Sequence, residues 1–260
     1  MIRVVDLVQH YNVRPVLRGV NLQIDTGELV VLMGPNGMGK STLLASIVGM
    51  LTPQSGYVEI NGLIRKSSVE AEREIRKQLF YLPDHPWLPR HRTGRDYLLA
   101  IGELYAIEWD RLFSHIDQLL GVFDLDKHGD SPIGSYSTGQ QKKIAVCGAL
   151  ISEAPILVLD EPFSGGLDPA GLLALKQILL KLREGDTRTI LLATPVPELV
   201  DEIADRVAVL RDGQIVAFDT PQGLAQHGPA GQALEQTLQH LLNPESSRRL
   251  DEYLQGRKPQ

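Results

Sequence analysis

The chain has 260 residues, 43% of them apolar, and a formal net charge of −6. This is enough apolar material for one large domain with an appendage, and the acidic balance argues against a general nucleic-acid binder, which carries a basic stripe. The lone cysteine, Cys147, excludes an intramolecular disulfide, and no apolar run nears the roughly 18 residues of a membrane helix. The N-terminus lacks the long apolar stretch of a secretory signal. The expectation is a soluble cytoplasmic protein that acts at a membrane only by docking onto another protein there.

In the first 30 residues, Val4, Leu7 and Val8, then Val20, Leu22 and Ile24, predict short strands around turns at Asn12 and Gly27. Leu29–Met33 is an unbroken apolar run, as in a strand buried on both faces. A helical pattern follows over residues 41–50. Tyr57 to Ile60, before Asn61-Gly62, reads as half of a hairpin, so a small antiparallel sheet is expected beside the core. From about residue 86 to 150 strand signals give way to helical spacing (Tyr97, Leu98, Ile101, Leu104, Tyr105), which predicts an inserted helical subdomain. Further apolar runs at 156–159, Thr189–Ala193 and 206–210, with a helical pattern at 172–182, predict parallel strands joined by right-handed crossovers. After residue 222, Gly223, Gly228, Pro229 and Gly231 read as a linker to a C-terminal appendage. Leu234, Leu238, Leu241 and Leu242 then share one helix face, which packs either on the chain's own core or on a partner.

The chemistry concentrates in Gly34-Pro35-Asn36-Gly37-Met38-Gly39-Lys40-Ser41, which matches the phosphate-loop pattern Gly-x4-Gly-Lys-Ser/Thr between a predicted strand and a predicted helix. The glycines let backbone N–H groups approach phosphate oxygens with no Cβ in the way. Lys40 offers a charge to the β- and γ-phosphates. The Ser41 hydroxyl can ligate magnesium, and the N–H groups of Ser41 and Thr42 open a helix that favours anions. The expected ligands are therefore ATP and Mg2+. The run 156–159 leads into Asp160 and Glu161. Asp160 is placed to hold the metal directly or through water, and Glu161 to act as base for the attacking water.

Shortly before Asp160 stands Tyr136-Ser137-Thr138-Gly139-Gln140-Gln141. With the phosphate loop and Asp160-Glu161, it makes residues 1 to about 220 resemble the nucleotide-binding subunit of ATP-binding-cassette (ABC) transporters. The segment is similar to the family signature Leu-Ser-Gly-Gly-Gln, with Tyr136 and Thr138 as departures, and its start leans towards export-type relatives. The resemblance implies a P-loop NTPase (RecA-like) α/β core with a small antiparallel β-subdomain and an inserted helical subdomain. The domain it implies spans residues 1–222, with residues 223–260 appended.

It further implies that Ser137 and Gly139 contact the γ-phosphate held by a second copy, and that Asp168 of Leu167-Asp168-Pro169 reaches across the same dimer. Tyr11 takes the place of the aromatic residue stacked on adenine, and Val16 that of an apolar contact to the base. Phe163 to Gly166 is one residue longer than usual. Where the family carries a glutamine near magnesium, this chain has Asp84, which as a carboxylate can still ligate the metal. Where the family carries a histidine at the γ-phosphate, it has Pro195, with neither a side-chain donor nor an N–H.

The partners implied are a second ATP-binding subunit, identical or different, and a separate transmembrane permease; nucleic acid is not among them. The site implied is peripheral on the inner face of the membrane, with docking near the Pro- and Arg-rich stretch 84–95. Two functions stay open: an ATPase that powers transport, and an ATP-switched regulatory module with little hydrolysis.

Overall fold

A computed structural model describes residues 1–11, 14–185, 188–226, 234–242 and 244–254. It opens with strands β1 (Ile2–Tyr11), β2 (Arg14–Ile24) and β3 (Leu29–Met33), then helix α1 (Lys40–Ile47). β4 (Ser55–Ile60), β5 (Leu63–Ile64), α2 (Val69–Gln78) and β6 (Leu79–Leu82) follow. Three helices come next, α3 (Gly94–Leu104), α4 (Trp109–Val122) and α5 (Thr138–Ile151). Then come β7 (Ile156–Asp160), α6 (Pro169–Glu184), β8 (Thr189–Ala193), α7 (Val200–Ile203), β9 (Arg206–Arg211) and β10 (Gln214–Asp219). The chain closes with α8 (Pro221–Gln226), α9 (Leu234–Leu242) and α10 (Pro244–Leu254).

These elements form two compact units. The first comprises Met1, Ile24–Glu28 and Glu59–Leu192. In it β8, β7 and β6 lie side by side in that order. β6 and β7 run parallel in the register Leu79 to Ile156 and Leu82 to Leu159. Every residue of β7 and β8 is buried, as strands covered on both faces require. The Asn61-Gly62 turn closes a hairpin in which Glu59 pairs with Ile64 and Ile60 with Leu63.

Side chains cap the starts of α2, α3, α5 and α6, though not of α4. Thr93 with Asp96, and Ser137 with Gln140, form reciprocal capping boxes for α3 and α5. Asp168 caps α6 ahead of Pro169, whose missing N–H is harmless at that position. α3 buries Leu98 and Ile101, and α4 buries Leu112 and Ile116. All residues of α5 from Lys142 to Ile151 are buried, so this helix packs on all sides, against α3, α4 and β6. Each such Leu or Ile removed from water contributes about 1.5–3 kcal/mol before entropy is counted.

The second unit comprises Ile2–Gln23, Leu29–Val58 and Ala193–Gln260. Here β3 runs parallel to β9, Val30 opposite Arg206 and Met33 opposite Val209, and β10 pairs antiparallel with β9. β2, β1 and β4 are neighbours in that order in the other sheet. α1 follows β3 directly. The turn expected at Asn12 and the linker residues Gly228, Pro229 and Gly231 lie outside the described residues.

Gly223, expected in the linker, lies inside α8, where its N–H is capped by the Thr220 hydroxyl at 3.0 Å. α9 turns its leucines inward, Leu238 fully buried, and packs on β9. The Arg211 guanidinium donates to the Leu241 carbonyl at 2.6 Å and ties the helix end down. The leucine face is therefore covered by the chain itself.

Candidate nucleotide site

In the second unit the buried strand β3 delivers the chain into the loop 34–39, and Lys40 opens α1. Gly34 is buried so tightly that a Cβ there would lie 2.7 Å from the Leu210 carbonyl oxygen. Gly39 sits at φ 103°, a left-handed conformation that side chains resist, and a Cβ on it would meet Val16 at 3.0 Å. The result is a narrow cradle of backbone. No side chain caps α1 and no acidic residue stands in its first turn, so its N–H groups and the positive end of its dipole are turned to the loop.

Lys40 is buried, and its ammonium donates to the Gly34 carbonyl at 2.8 Å and to Asn36 Oδ1 at 3.3 Å. Ser41 is exposed at the helix start, with Thr42 half-buried behind it. Such a cradle with a cation at its centre suits a chain of phosphates. Val16 lies beside it; the Tyr11 side chain lies outside the described residues. The Thr194 N–H donates to the Leu32 carbonyl at 3.3 Å, which holds the start of the segment carrying Pro195 beside β3.

The acidic residues sit in the first unit. Asp160 ends β7 at 2% exposure and accepts a hydrogen bond from the Tyr81 hydroxyl of β6. Burial first, and then the Asp160 charge, push the Tyr81 pKa above its usual value, so it stays a donor. A buried carboxylate closing a strand fits Mg2+, which takes only one or two protein carboxylates beside phosphate and water. Glu161 follows at φ 47°, in the left-handed region. Its carbonyl accepts from the Ser164 N–H at 3.1 Å and lies 2.8 Å from the Ser164 hydroxyl.

Asp84, just past the end of β6, lies 3.1 Å from that same hydroxyl through Oδ1. It also faces Lys142, which donates to its carbonyl at 3.1 Å and stands 3.7 Å from Oδ1. Burial lowers the Lys142 pKa from the usual ammonium value, while Asp84, Asp160 and Glu161 favour its charged form.

The signature segment lies in the same unit. Ser137 is exposed and caps α5: its Oγ accepts from the Gln140 N–H at 3.3 Å while its own N–H donates to Gln140 Oε1 at 2.9 Å. Tyr136 is buried and its hydroxyl donates to the His128 carbonyl at 2.6 Å, which anchors the segment from behind. Gly139 approaches the loop after Glu161 so closely that a Cβ would lie 2.5 Å from the Gly166 carbonyl oxygen.

Asp168 accepts from the Gly171 N–H at 2.8 Å and from the Lys143 ammonium at 2.8 Å. The Lys143 hydrogen bond holds the Asp168 pKa below the carboxylate range. Lys142, Lys143 and Ser164 are the contributors that sequence reasoning missed. The only signal in the sequence was the placement of two lysines directly before an unbroken apolar run.

Residues 17–164 match the family model described as ABC transporter. Among relatives, the chain is 32% identical over 216 residues to a daunorubicin resistance ATP-binding protein of Streptomyces coeruleorubidus, covering 83% of this chain and 67% of that one. It is 32% identical over 222 residues to the cobalt import ATP-binding protein CbiO of Salmonella typhi, covering 85% and 81%. Among solved structures, an ATP binding subunit of an ABC transporter superposes with a TM-score of 0.85 at 29% identity, over 93% of this chain and 99% of that one. A dimeric ATP-binding cassette in a post-hydrolysis state, bound to ADP and Pi, superposes with a TM-score of 0.76 at 25% identity, over 85% and 98%. The fold is that of a P-loop NTPase with the antiparallel and helical additions expected from the sequence.

Proposed function

Since the chain belongs to the ABC transporter family as an ATP-binding subunit, we propose that it binds MgATP in the loop 34–42, closes on a second subunit, and hydrolyses ATP to drive a separate permease. The cradle of Gly34 and Gly39 around the Lys40 ammonium is the observation that carries this reading. On binding, Lys40 exchanges its loop acceptors for phosphate oxygens, and the N–H groups from Gly37 to Thr42 meet the rest of the anion. Tyr11 and Val16 take the adenine. By the family resemblance, Ser41 and Asp160 would serve as Mg2+ ligands, and the ion would supply positive charge to the phosphates. Glu161 accepts the proton of the attacking water. Ser137, Gly139 and Asp168 serve the nucleotide of the partner copy.

A specific observation favours slow turnover. Pro195 is exposed and brings neither a side-chain donor nor an N–H to the place where the family has a histidine. The regulatory reading, in which ATP switches the protein with little hydrolysis, rests on that residue.

Among the described residues no helix is long and apolar enough to cross a membrane. Contact with the bilayer is therefore assigned to the permease, which docks in the groove lined by Pro86, Trp87, Leu88, Arg90 and Gln141. Trp87 is 86% exposed there and offers an aromatic anchor.

The test is Glu161→Gln, which keeps size and hydrogen bonding and removes the base. Sedimentation with ATP and magnesium should find a stable dimer that the wild type forms only transiently. A variant that binds ATP yet stays monomeric at high protein concentration would count against ATP-driven dimerisation.

A further inference from the structure

We infer that Lys142 is a positioning residue for hydrolysis: through Asp84 and Ser164 it ties α5 to the loop that follows β7 and holds Glu161 in its left-handed conformation. This deepens the reading of Glu161 as the base and rests on it.

Lys142 is 3% exposed, uncommon for a lysine, and its stem passes within 3.7 Å of the Cβ position of Gly165. Its ammonium ends on Asp84, at 3.1 Å from the carbonyl and 3.7 Å from Oδ1. The Ser164 hydroxyl lies between two acceptors, Asp84 Oδ1 at 3.1 Å and the Glu161 carbonyl at 2.8 Å, and the Ser164 N–H adds a second donor to that carbonyl. A non-glycine residue at φ 47° persists only where its surroundings over-determine it. Here the Ser164 N–H, together with a single Ser164 O–H shared between the Glu161 carbonyl and Asp84 Oδ1, does so, and Asp84 thereby orients Ser164.

Charge explains why the cation stands at this point. Asp84 is acceptor-only, and it stands in the same electrostatic cluster as Asp160 and Glu161, to which Lys142 brings a positive charge. All three act on Lys142 electrostatically. The His85 contact to Asp84, at 3.5 Å with the imidazole 96% exposed, is too solvated to substitute.

The experiment measures kcat and KM for MgATP in the full chain. The variants are Lys142→Met, Lys142→Arg, Lys142→Met with Asp84→Gln, and Ser164→Ala, with Glu161→Gln as control. Lys142→Met should lower kcat on the order of tenfold to a hundredfold, the cost of a misplaced catalytic group, with KM within about twofold. Lys142→Arg should recover most of the rate, and Asp84→Gln should partly rescue Lys142→Met by removing the uncompensated carboxylate.

A wild-type kcat in Lys142→Met overturns the proposal, as does a loss that Arg fails to recover and that KM shares equally. If Lys142→Met does not fold, Ser164→Ala decides, because it keeps the backbone bond to Glu161 and removes only the hydroxyl. A kcat lowered at least about threefold supports the clamp, and an unchanged kcat overturns it. Glu161→Gln separates the two layers of the argument. If it is inactive while the Lys142 and Ser164 variants keep the wild-type rate, only the clamp falls. If it turns over like wild type, the base assignment falls and the clamp with it.

Discussion

Lys40→Met separates what the phosphate-loop lysine does for ATP from what it does for the fold. Its ammonium is buried and hydrogen-bonded within the chain, to the Gly34 carbonyl at 2.8 Å and Asn36 Oδ1 at 3.3 Å. Hydrogen bonds to a charged group are worth about 1.5–3 kcal/mol net, and methionine forfeits them. Removing the ammonium also removes a desolvation cost of several kcal/mol, and the methionine stem keeps the apolar packing of the lysine chain. These terms oppose each other and are similar in size, so stability should change by less than about 1 kcal/mol, a Tm shift of about 2–4 °C at most. No such cancellation operates on ATP. The charge-assisted contact to phosphate is simply lost, and about 1.5–3 kcal/mol is a tenfold to hundredfold weaker Kd. Thermal unfolding without nucleotide, paired with calorimetric titration of MgATP, reads both quantities. An affinity equal to wild type would refute the site. A Tm drop well beyond the stated range would show that the lysine bonds hold the loop together, and that the cancellation is wrong.

Gly139→Ala puts a Cβ 2.5 Å from the Gly166 carbonyl oxygen, and because that neighbour is backbone the cost should be about 1–3 kcal/mol, read as a Tm lower by roughly 2–12 °C. A Tm within a degree of wild type would mean that the approach to Gly166 is not rigid. Pro195→His restores a side-chain donor and an N–H. Because one preorganised group commonly carries about a hundredfold to a thousandfold in rate, turnover should rise measurably. A fast wild type, or a folded variant with unchanged slow turnover, would show that something else sets the rate.

His115 carries the pH prediction. Burial lowers its pKa below 6.5, with Arg111 and Arg188 adding to the effect and Glu153, 3.5 Å away, opposing it. The unfolded imidazole therefore takes up its proton first as pH falls. The contribution of the neutral ring is complete above pH 6.5 and is lost progressively below it. Between neutral pH and about pH 5.5, His115→Gln should lose less Tm than wild type, and equal losses would remove His115 from the account.

The strands were legible where burial on both faces leaves no periodicity to misread. Leu29–Met33, Ile156–Asp160 and Thr189–Ala193 are buried along their whole length, and the runs 29–33, 156–159 and 189–193 stood out in the sequence. β6 lacked that signature. It has four residues, follows α2 without a break, and leaves Phe80 and Tyr81 half-exposed, so nothing local marks it as a strand. The phosphate loop was legible because its chemistry is local: glycines, lysine and serine do their work within eight consecutive positions.

Lys142 was illegible for the opposite reason. Local sequence makes any lysine a surface residue, and only tertiary packing, with α5 enclosed by α3, α4 and β6, takes this one out of water. Its partner explains the expense. Asp84, read from sequence as a substitute metal ligand, lies beside a buried ammonium and within reach of Ser164. Ser164 belongs to the stretch 163–166, where the family resemblance implies one extra residue. An aspartate, a serine of the loop after β7 and a buried lysine, far apart along the chain, thus meet in one cluster of the first unit. A single substitution towards the family pattern, such as Asp84→Gln alone, should therefore impair the protein more than the same change made together with Lys142→Met.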